Sequence, residues 1–269
     1  MVGHSTRFPV TDATAAAPAS LVAVIPAYQE AATIAAVVAR LRAAMPGLVV
    51  LVVDDGSSDG TAAAAAEAGA EVLGGMANQG KGAALRRGMQ AALARRAAFV
   101  ATLDGDGQHR PEDLPRLVAL AAPDVIVIGS RRGATGQPAA RRRANRVADF
   151  WISWAARHPV SDSQSGFRIY PAAALADLTR YDGRARGFSF ESEILIDAAR
   201  RGITTMAAEI PALYGATLRR PSHFRPVADI ARIVIMVAGK LLARGMDPVG
   251  LLRSLQAPRR KEGPDAPSS

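Results

Sequence analysis

Four short apolar stretches constrain the fold of this 269-residue chain more than any other feature of its sequence. They are Leu21 to Ile25, Leu48 to Val53, Ala98 to Leu103 and Val125 to Ile128. Polar and apolar residues do not alternate regularly in them, which indicates strands that are buried on both faces. The pattern predicts an α/β protein with a mostly parallel sheet and helices on both faces of the sheet.

The segments between these strands have the spacing of amphipathic helices. Within residues 31–44, one helical face is apolar and contains Ile34, Val37, Val38 and Leu41. Further helices are predicted at Thr61 to Ala68, Lys81 to Arg96 and Pro111 to Ala121, and a short strand at Glu71 to Leu73.

Polar motifs follow the predicted strands. Their sequences are PAYQE, DDGSSDGT, DGDGQH and GSRR. In open parallel sheets, ligands bind beyond the carboxyl ends of the strands. Four polar motifs at one edge of a sheet therefore predict a binding site at that edge.

The motif DGDGQH has the composition of a metal site. Asp104, Asp106 and Gln108 alternate with two glycines, which allow a tight turn and the close approach of a ligand. Two carboxylates and an amide oxygen suit Mg²⁺ or Mn²⁺, which also bind substrate phosphates. The alternative is an acidic turn without a ligand.

Two other motifs are candidates for nucleotide binding. Asp54 or Asp55 could accept hydrogen bonds from a ribose or a base, whereas Asp59 is expected to cap the helix that begins near Thr61. Lys81 follows a glycine-rich loop at the start of a helix, where it either binds phosphate or is simply exposed. The G-x-G-x-x-G and Walker A patterns are absent, which argues against hydride transfer and P-loop hydrolysis.

Composition narrows the classes of partner. The formal charge is +9, which favours anionic partners such as phosphorylated substrates or an anionic membrane surface. Aromatic residues make up 5% of the chain, which argues against base stacking, and we expect no nucleic-acid partner. There are no cysteines, so disulfides and thiolate chemistry are excluded. His109 and His158 are distant from other histidines and are not expected to bind metal.

The two ends of the chain are expected to differ from its middle. Residues 1–20 resemble a flexible lead-in without a signal peptide, and residues 257–269 a disordered tail. Between them we expect a catalytic domain at 21–215 and a basic, apolar helical extension at 216–256. No apolar run is long enough to span a membrane, so we expect a cytoplasmic protein that is peripheral on the membrane.

Several residues have two interpretations with respect to that membrane. Ile230 to Ala243 either packs on the catalytic domain or lies in a lipid interface, with arginines such as Arg219, Arg220 and Arg225 against anionic headgroups. Trp151 and Trp154 belong either to the core or to the interface. The arginine-rich run from 131 to 146 is either a solvated surface or a binding site for phosphate or membrane.

The order of these motifs resembles the inverting glycosyltransferases of family 2, which have the Rossmann-like GT-A fold. The similarity runs from about Leu21 to Tyr214 and includes NQGKGAALRRGM and SQSGFRIYP. It is most similar to the branch of dolichyl-phosphate mannose synthases and polyprenyl-phosphate glycosyltransferases. The resemblance implies a GDP- or UDP-sugar donor, a divalent metal ion and a polyprenyl phosphate or another membrane-associated acceptor.

The resemblance also implies roles for individual residues. The nucleoside of the donor would be held by Pro26, Tyr28 and Glu30, with Asp54 or Asp55. The metal ion would be held by Asp104, Asp106 and Gln108, and Arg131 would face phosphate. The element near the acceptor and diphosphate would be Ser165, Gly166, Phe167 and Arg168. The residues implied in catalysis itself are Asp106, Arg131, Arg168 and Glu193.

The acceptor decides whether a general base is needed. A phosphate acceptor is already largely ionised at neutral pH. A hydroxyl acceptor requires a carboxylate, for which Glu191 and Glu193 are available unless they only favour the start of a helix. Two more distant alternatives are a sugar-phosphate nucleotidyltransferase and a non-catalytic protein that binds anionic surfaces.

Overall fold

The computed structural model describes residues 20–75, 77–131, 139–181, 189–211, 226–243 and 245–255. The strands in these residues are β1 (Leu21–Ala27), β2 (Val49–Asp54), β3 (Glu71–Leu73), β4 (Phe99–Thr102), β5 (Val125–Ser130), β6 (Arg168–Pro171) and β7 (Thr204–Glu209). The α-helices are α1 (Ile34–Ala44), α2 (Thr61–Glu67), α3 (Lys81–Ala94), α4 (Leu114–Val118), α5 (Ala139–Ala156), α6 (Ser189–Ala199), α7 (Pro226–Leu242) and α8 (Pro248–Ser254). Short 3₁₀ turns cover Pro111–Asp113, Ala172–Leu175 and Leu178–Tyr181.

The described strands form one mixed sheet in the order β3-β2-β1-β4-β6-β5-β7. β1 to β4 are parallel to one another, β5 is parallel to β7, and β6 runs antiparallel between β4 and β5. The prediction of a mostly parallel sheet is therefore confirmed. The last four residues of the SQSGFRIYP motif form the antiparallel strand β6, which its sequence did not indicate.

The direction of β6 determines which loops meet. Thr102 at the end of β4 lies opposite Arg168 at the start of β6, and Ile128 near the end of β5 pairs with the same residue. The residues that precede β6 therefore reach the edge of the sheet at which β4 and β5 end. Since the chain continues from β1 to β2 on one side and returns to β4 on the other, this edge also contains the topological switch point.

Both faces of the sheet are covered, because residues of β1 and β2 alternate between two cores. One core joins residues such as Val24 and Val53 to α3, α5, α6 and α7. The other joins residues such as Ile25 and Val52 to α1, α2 and α4. The apolar face predicted for α1 is the face that is buried.

The helix predicted at Pro111 to Ala121 is divided in the structure. Residues 111–113 form a 3₁₀ turn and α4 follows it, ending at Val118. Pro115 has no N–H with which to bond the carbonyl of Pro111, so a continuous α-helical ladder cannot form there. The sequence correctly indicated a helical segment and missed this division.

α7 packs on α5 and α6 through one face. Its buried side chains Ile233, Val237 and Leu241 belong to the core shared with α5 and α6, whereas Ile235 and Leu242 are exposed. The indole N–H of Trp154 donates to the carbonyl of Asp247, which links α5 to the start of α8. Of the described helices, none combines the length and the hydropathy that a membrane span requires.

Some expectations concern residues outside the described ranges. These are the lead-in before Ser20, the tail at 257–269, Arg219, Arg220 and Arg225, and residues 132–138 of the arginine-rich run.

Gly88 permits the close packing of α3 on the sheet, and its replacement tests this packing. A Cβ at Gly88 would lie 2.3 Å from Val24 Cγ1 and 2.8 Å from Val53 Cγ2. We expect Gly88→Ala to lower the free energy of unfolding by about 1–3 kcal/mol through overpacking, measured by urea denaturation.

Gly239→Ala is the matched control for Gly88→Ala. A Cβ at this position of α7 would meet nothing within 4 Å. This change should raise the free energy of unfolding by about 0.4–1 kcal/mol. A stabilised Gly88→Ala protein would contradict the packing described for α3.

Candidate functional site

The loops after β1 and β2 are joined by hydrogen bonds between backbone amides of one loop and side chains of the other. The Gln29 amide donates to Ser57 Oγ at 2.9 Å, and the Ala31 amide donates to Asp59 at 3.2 Å. The other oxygen of Asp59 accepts from the Thr61 amide at the start of α2. Asp59 was predicted to cap α2, but the N-cap is Gly60 and has no side-chain cap bond. Asp59 instead bonds the first residue of α2 and joins the two loops.

The residues predicted to hold a nucleoside differ in exposure. Tyr28 is 39% exposed beyond β1, where a ring could stack against a ligand. Pro26 is buried within β1, and its side chain is not available to a ligand in this structure. Glu30 lies between these loops and the next motif, because Thr33 Oγ1 is 3.1 Å from the Glu30 carboxylate and 2.7 Å from the Gly105 carbonyl.

The carboxylates of Asp54, at the end of β2, and Asp55 both accept hydrogen bonds from backbone amides. Asp55 accepts from the amides of Gln79 and Gly80, at 3.0 and 2.6 Å, and is 3% exposed. Asp54 accepts from the Ser57 amide at 3.2 Å. Asp55 thus fixes the glycine-rich loop that precedes α3. No local sequence pattern indicates this contact, because the partners are more than twenty residues apart.

Lys81, the first residue of α3, connects two carboxylates from different elements. Its ammonium nitrogen lies 2.7 Å from Asp104 Oδ1 and 3.3 Å from Glu191 Oε2. Burial disfavours the ammonium form, but the two carboxylates outweigh burial and raise the pKa of Lys81. Burial likewise acts to raise the pKa of Asp104, but the charge of Lys81 prevails and lowers that pKa.

Asp106 and Gln108 complete the DGDGQH motif beyond β4. The Gln108 amide donates to Asp106 Oδ1 at 2.9 Å, and Gly107 between them has a φ of +74°, which glycine adopts without strain. Burial and the neighbouring charge of Asp104 raise the pKa of Asp106. Two partly exposed carboxylates whose charges repel each other suit a divalent cation, which would relieve this repulsion.

Asp104 and Asp106 provide fewer charged side chains than a metal site that is built entirely from charged ligands. Across the described residues, no group of three or more His, Asp or Glu side chains is arranged to hold an ion. The sequence predicts a donor set of two carboxylates and the side-chain amide of Gln108, and these three residues lie in the segment that directly follows β4. Mg²⁺ is bound in this way in sites where substrate phosphates supply further ligands.

His109 is a residue of the site that the sequence analysis did not assign to it. It is 2% exposed, and its Nε2 lies 3.6 Å from Asp104 Oδ2. Its ring also contacts Phe167, with 5.5 Å between the centroids. Its position as the last residue of DGDGQH was the available signal.

The loop before β6 lies directly against Asp104. Thr102 Oγ1 donates to the Gly166 carbonyl at 2.9 Å. A Cβ at Gly166 would be 2.7 Å from Asp104 Oδ2, so only glycine allows this approach. The predicted metal motif and the SGFR element are therefore in contact.

Arg168 fixes this loop from inside the protein. It is 1% exposed, and its guanidinium donates to the carbonyls of Ser163, Ser165 and Glu191 and to the Tyr170 hydroxyl. Ser165 is also fully buried. In this structure Arg168 and Ser165 therefore position the loop and are not exposed to a ligand, in contrast to the contact that the sequence led us to expect.

Arg131 and Asp149 support the same loop from two other elements. The Arg131 amide donates to Asp162 at 2.8 Å, and its guanidinium lies 3.3 Å from the same carboxylate. Asp149 of α5 is 4% exposed and accepts from the amides of Asp162 and Ser163. The charge of Arg131, expected to face phosphate, is thus partly neutralised by Asp162. Asp149 had no motif that would have identified it.

Glu193 and Glu191 point to different neighbours. Glu193 Oε1 lies 3.7 Å from the ammonium of Lys240 on α7, whereas Glu191 contacts Lys81. Residues two positions apart on a helix point in nearly opposite directions, which explains the difference. The structure thus brings Glu191 to the site and directs Glu193, which the sequence analysis had assigned to catalysis, towards α7.

The sequence model of the family "Glycosyl transferase family 2" matches residues 22–179. This chain is 31% identical over 188 residues to an undecaprenyl-phosphate mannosyltransferase of Micrococcus luteus, covering 66% of this chain and 77% of the relative. It is 31% identical over 201 residues to a polyprenol monophosphomannose synthase of Mycolicibacterium smegmatis, covering 70% and 74% of the two chains.

Solved structures agree with the fold. A glucosyl-3-phosphoglycerate synthase from Mycobacterium tuberculosis, in complex with Mn²⁺, uridine diphosphate and phosphoglyceric acid, superimposes with a TM-score of 0.60 and 25% identity. The superposition covers 84% of this chain and 78% of that one. A mannosyl-3-phosphoglycerate synthase from Rubrobacter xylanophilus gives a TM-score of 0.63 at 22% identity, over 89% and 77% of the chains. The chain therefore belongs to glycosyltransferase family 2 and has the GT-A fold.

Proposed function

We propose that this enzyme transfers a sugar from a nucleotide-sugar donor to a polyprenyl phosphate, with a divalent cation held by Asp104, Asp106 and Gln108. The observation that carries the proposal is the contact of Gly166 with Asp104, which joins the metal motif to the loop before β6. The two relatives named for transfer of mannose to polyprenyl phosphates support this acceptor.

The donor would bind across the ends of β1, β2 and β4. Tyr28 is exposed at this edge, and Asp54, the last residue of β2, pairs with Ala27, the residue before Tyr28. The Mn²⁺ and uridine diphosphate in the structural neighbour support a diphosphate beside the carboxylates of Asp104 and Asp106. A screen of UDP- and GDP-sugars as donors distinguishes a uracil from a guanine base.

The chemistry follows from where charge develops. Cleavage of the bond between sugar C1 and the diphosphate leaves negative charge on the diphosphate, which a divalent cation stabilises when bound. Lys81, at the start of α3, supplies a further positive charge beside the site of the diphosphate. The buried contacts of Arg168 and Asp149 keep the loop before β6 fixed, so that an acceptor bound there would present its attacking oxygen to C1 in a defined geometry.

A hydroxyl acceptor is the second candidate, because the structural neighbour was solved with phosphoglyceric acid. Such an acceptor requires a general base. Glu191 is then favoured over Glu193, since its buried carboxylate lies at the Lys81–Asp104 pair. Comparing undecaprenyl phosphate with 3-phosphoglycerate as acceptors separates the two candidates.

We further propose that the acceptor is reached at an anionic membrane surface. Helices α7 and α8 each pack on α5. Large apolar side chains are exposed on these helices and directly after α8, among them Phe150, Ile235, Leu252 and Leu255. Arg143 and Arg146 are exposed on α5 close to Phe150. Apolar side chains beside arginines are suited to the interface of an anionic bilayer.

The Asp106→Ala variant tests the proposed reaction. Loss of a direct metal ligand should reduce turnover by more than the roughly 10–100-fold that supporting residues of metal sites contribute. The measurement is release of nucleoside diphosphate from UDP- and GDP-sugars with Mg²⁺ or Mn²⁺ and undecaprenyl phosphate. Metal-independent turnover that survives this change would overturn the mechanism, and release of pyrophosphate would identify a nucleotidyltransferase instead.

The Gly166→Ala variant tests the contact that carries the proposal. The added methyl group would force Asp104 or the loop to move, and a displacement of about 1 Å can reduce turnover about 100-fold. The same turnover assay measures the effect, with circular dichroism to verify folding. Gly239→Ala, which adds a methyl group at an open position, should retain wild-type turnover. Full activity of Gly166→Ala would show that the contact is irrelevant to the reaction.

Vesicle binding tests the membrane proposal. Replacing Leu252 and Leu255 by Asp should weaken sedimentation with phosphatidylglycerol vesicles at least tenfold, because each buried leucine contributes about 1.5–3 kcal/mol. The control replaces Ala63 and Ala66 by Asp on α2, which packs on the opposite face of the sheet. Equal binding by both double variants would refute a role for α8.

A further inference from the structure

Lys81 is shared between two carboxylates, and its shorter contact is to a residue of the proposed metal site. The ammonium is 2.7 Å from Asp104 Oδ1 and 3.3 Å from Glu191 Oε2. A carboxylate oxygen that accepts a salt bridge from an ammonium is hindered as a ligand for a second cation, because the two positive charges repel each other. Lys81 and a divalent cation therefore compete for Asp104.

The backbone at Lys81 is fixed, whereas its ammonium group can move. Asp55 holds the amides of Gln79 and Gly80, the two residues before Lys81, and the helix α3 begins at Lys81 itself. The side chain of Lys81 is 21% exposed and has a flexible four-carbon stem. Its ammonium can thus change partner without movement of the backbone.

Glu191 provides the alternative partner. Its side chain is 6% exposed, and its Oε1 is buried without a hydrogen-bond partner. A buried carboxylate with an unsatisfied oxygen gains from closer contact with an ammonium. Movement of Lys81 away from Asp104 would therefore be compensated at Glu191.

We infer that Lys81 acts as an internal cation that binds Asp104 in the ligand-free enzyme and leaves it for Glu191 and the donor diphosphate when a divalent ion binds. The inference rests on the proposed function, since it requires a metal ion at Asp104 and a diphosphate beside it. Lys81 then opposes binding of the metal ion alone and favours its binding together with the nucleotide. The two ligands are coupled through one side chain, and the coupling is reciprocal.

The test compares Mn²⁺ binding with and without nucleotide, using isothermal titration calorimetry. Wild type should bind Mn²⁺ weakly alone and at least fivefold more tightly in the presence of saturating UDP or GDP, which is the lower range of typical coupling. Lys81→Gln retains a polar side chain at this position but removes the charge. It should bind Mn²⁺ alone at least fivefold more tightly than wild type and lose most of the gain from nucleotide.

Two further variants separate this effect from general electrostatics. Lys81→Gln combined with Glu191→Gln keeps the net charge of the cluster, so tighter Mn²⁺ binding by this double variant supports release of Asp104 itself. It also replaces the single variant if an unpaired Glu191 prevents folding. Lys240→Met removes a lysine that likewise contacts two carboxylates, Glu193 and Asp197, and should leave both affinities unchanged.

The outcomes distinguish the inference from the function on which it rests. Coupling that persists in Lys81→Gln, or a double variant that binds Mn²⁺ as wild type does, would overturn the role of Lys81 and leave the proposed function intact. Failure of wild type to bind UDP or GDP with Mn²⁺ would contradict the proposed function and the inference together.

Discussion

The antiparallel pairing of β6 between β4 and β5 is the constraint on which the site depends. Because Arg168 begins β6 opposite the last residue of β4, the loop before it must emerge at the edge where the parallel strands end. A parallel β6 would have brought that loop to the other edge of the sheet. The carbonyl of Gly166 is then fixed by Thr102, and the glycine itself meets Asp104. One reversal of strand direction therefore joins segments that are more than sixty residues apart.

This arrangement requires buried charge, and the structure compensates for it with backbone carbonyls and amides. An isolated guanidinium at the position of Arg168 would carry a large desolvation cost. Its hydrogen bonds to three carbonyls and a hydroxyl satisfy it instead. Asp149 and Asp55 do the same with backbone amides. The partly exposed side chains Asp106 and Lys81 thus lie beside a layer of buried ionic groups.

The sequence revealed the elements of the fold better than the contacts of its side chains. The buried strands and the apolar face of α1 follow from local pattern, since hydrophobic periodicity reflects burial directly. The DGDGQH motif and the glycine-rich loop were recognisable as neighbours of the site for a similar reason, because the residues of each are close in sequence. The choice between Glu191 and Glu193 depended on the rotation of α6 relative to the sheet, which no local pattern encodes. Asp149 lies in an arginine-rich helix without any motif, and its partners are on a distant loop.

The packing of α7 bears on how much of the chain folds as one domain. The family match ends at residue 179, before α6, β7 and α7. Yet Ile194 and Val237 belong to the same core as Val24 and Val53. A fragment cut at the end of the family match would lack α6 and α7, which form this core together with α3 and α5, and would leave β5 without its neighbour β7. The segment that is recognisable by ancestry is therefore shorter than the segment that must fold together.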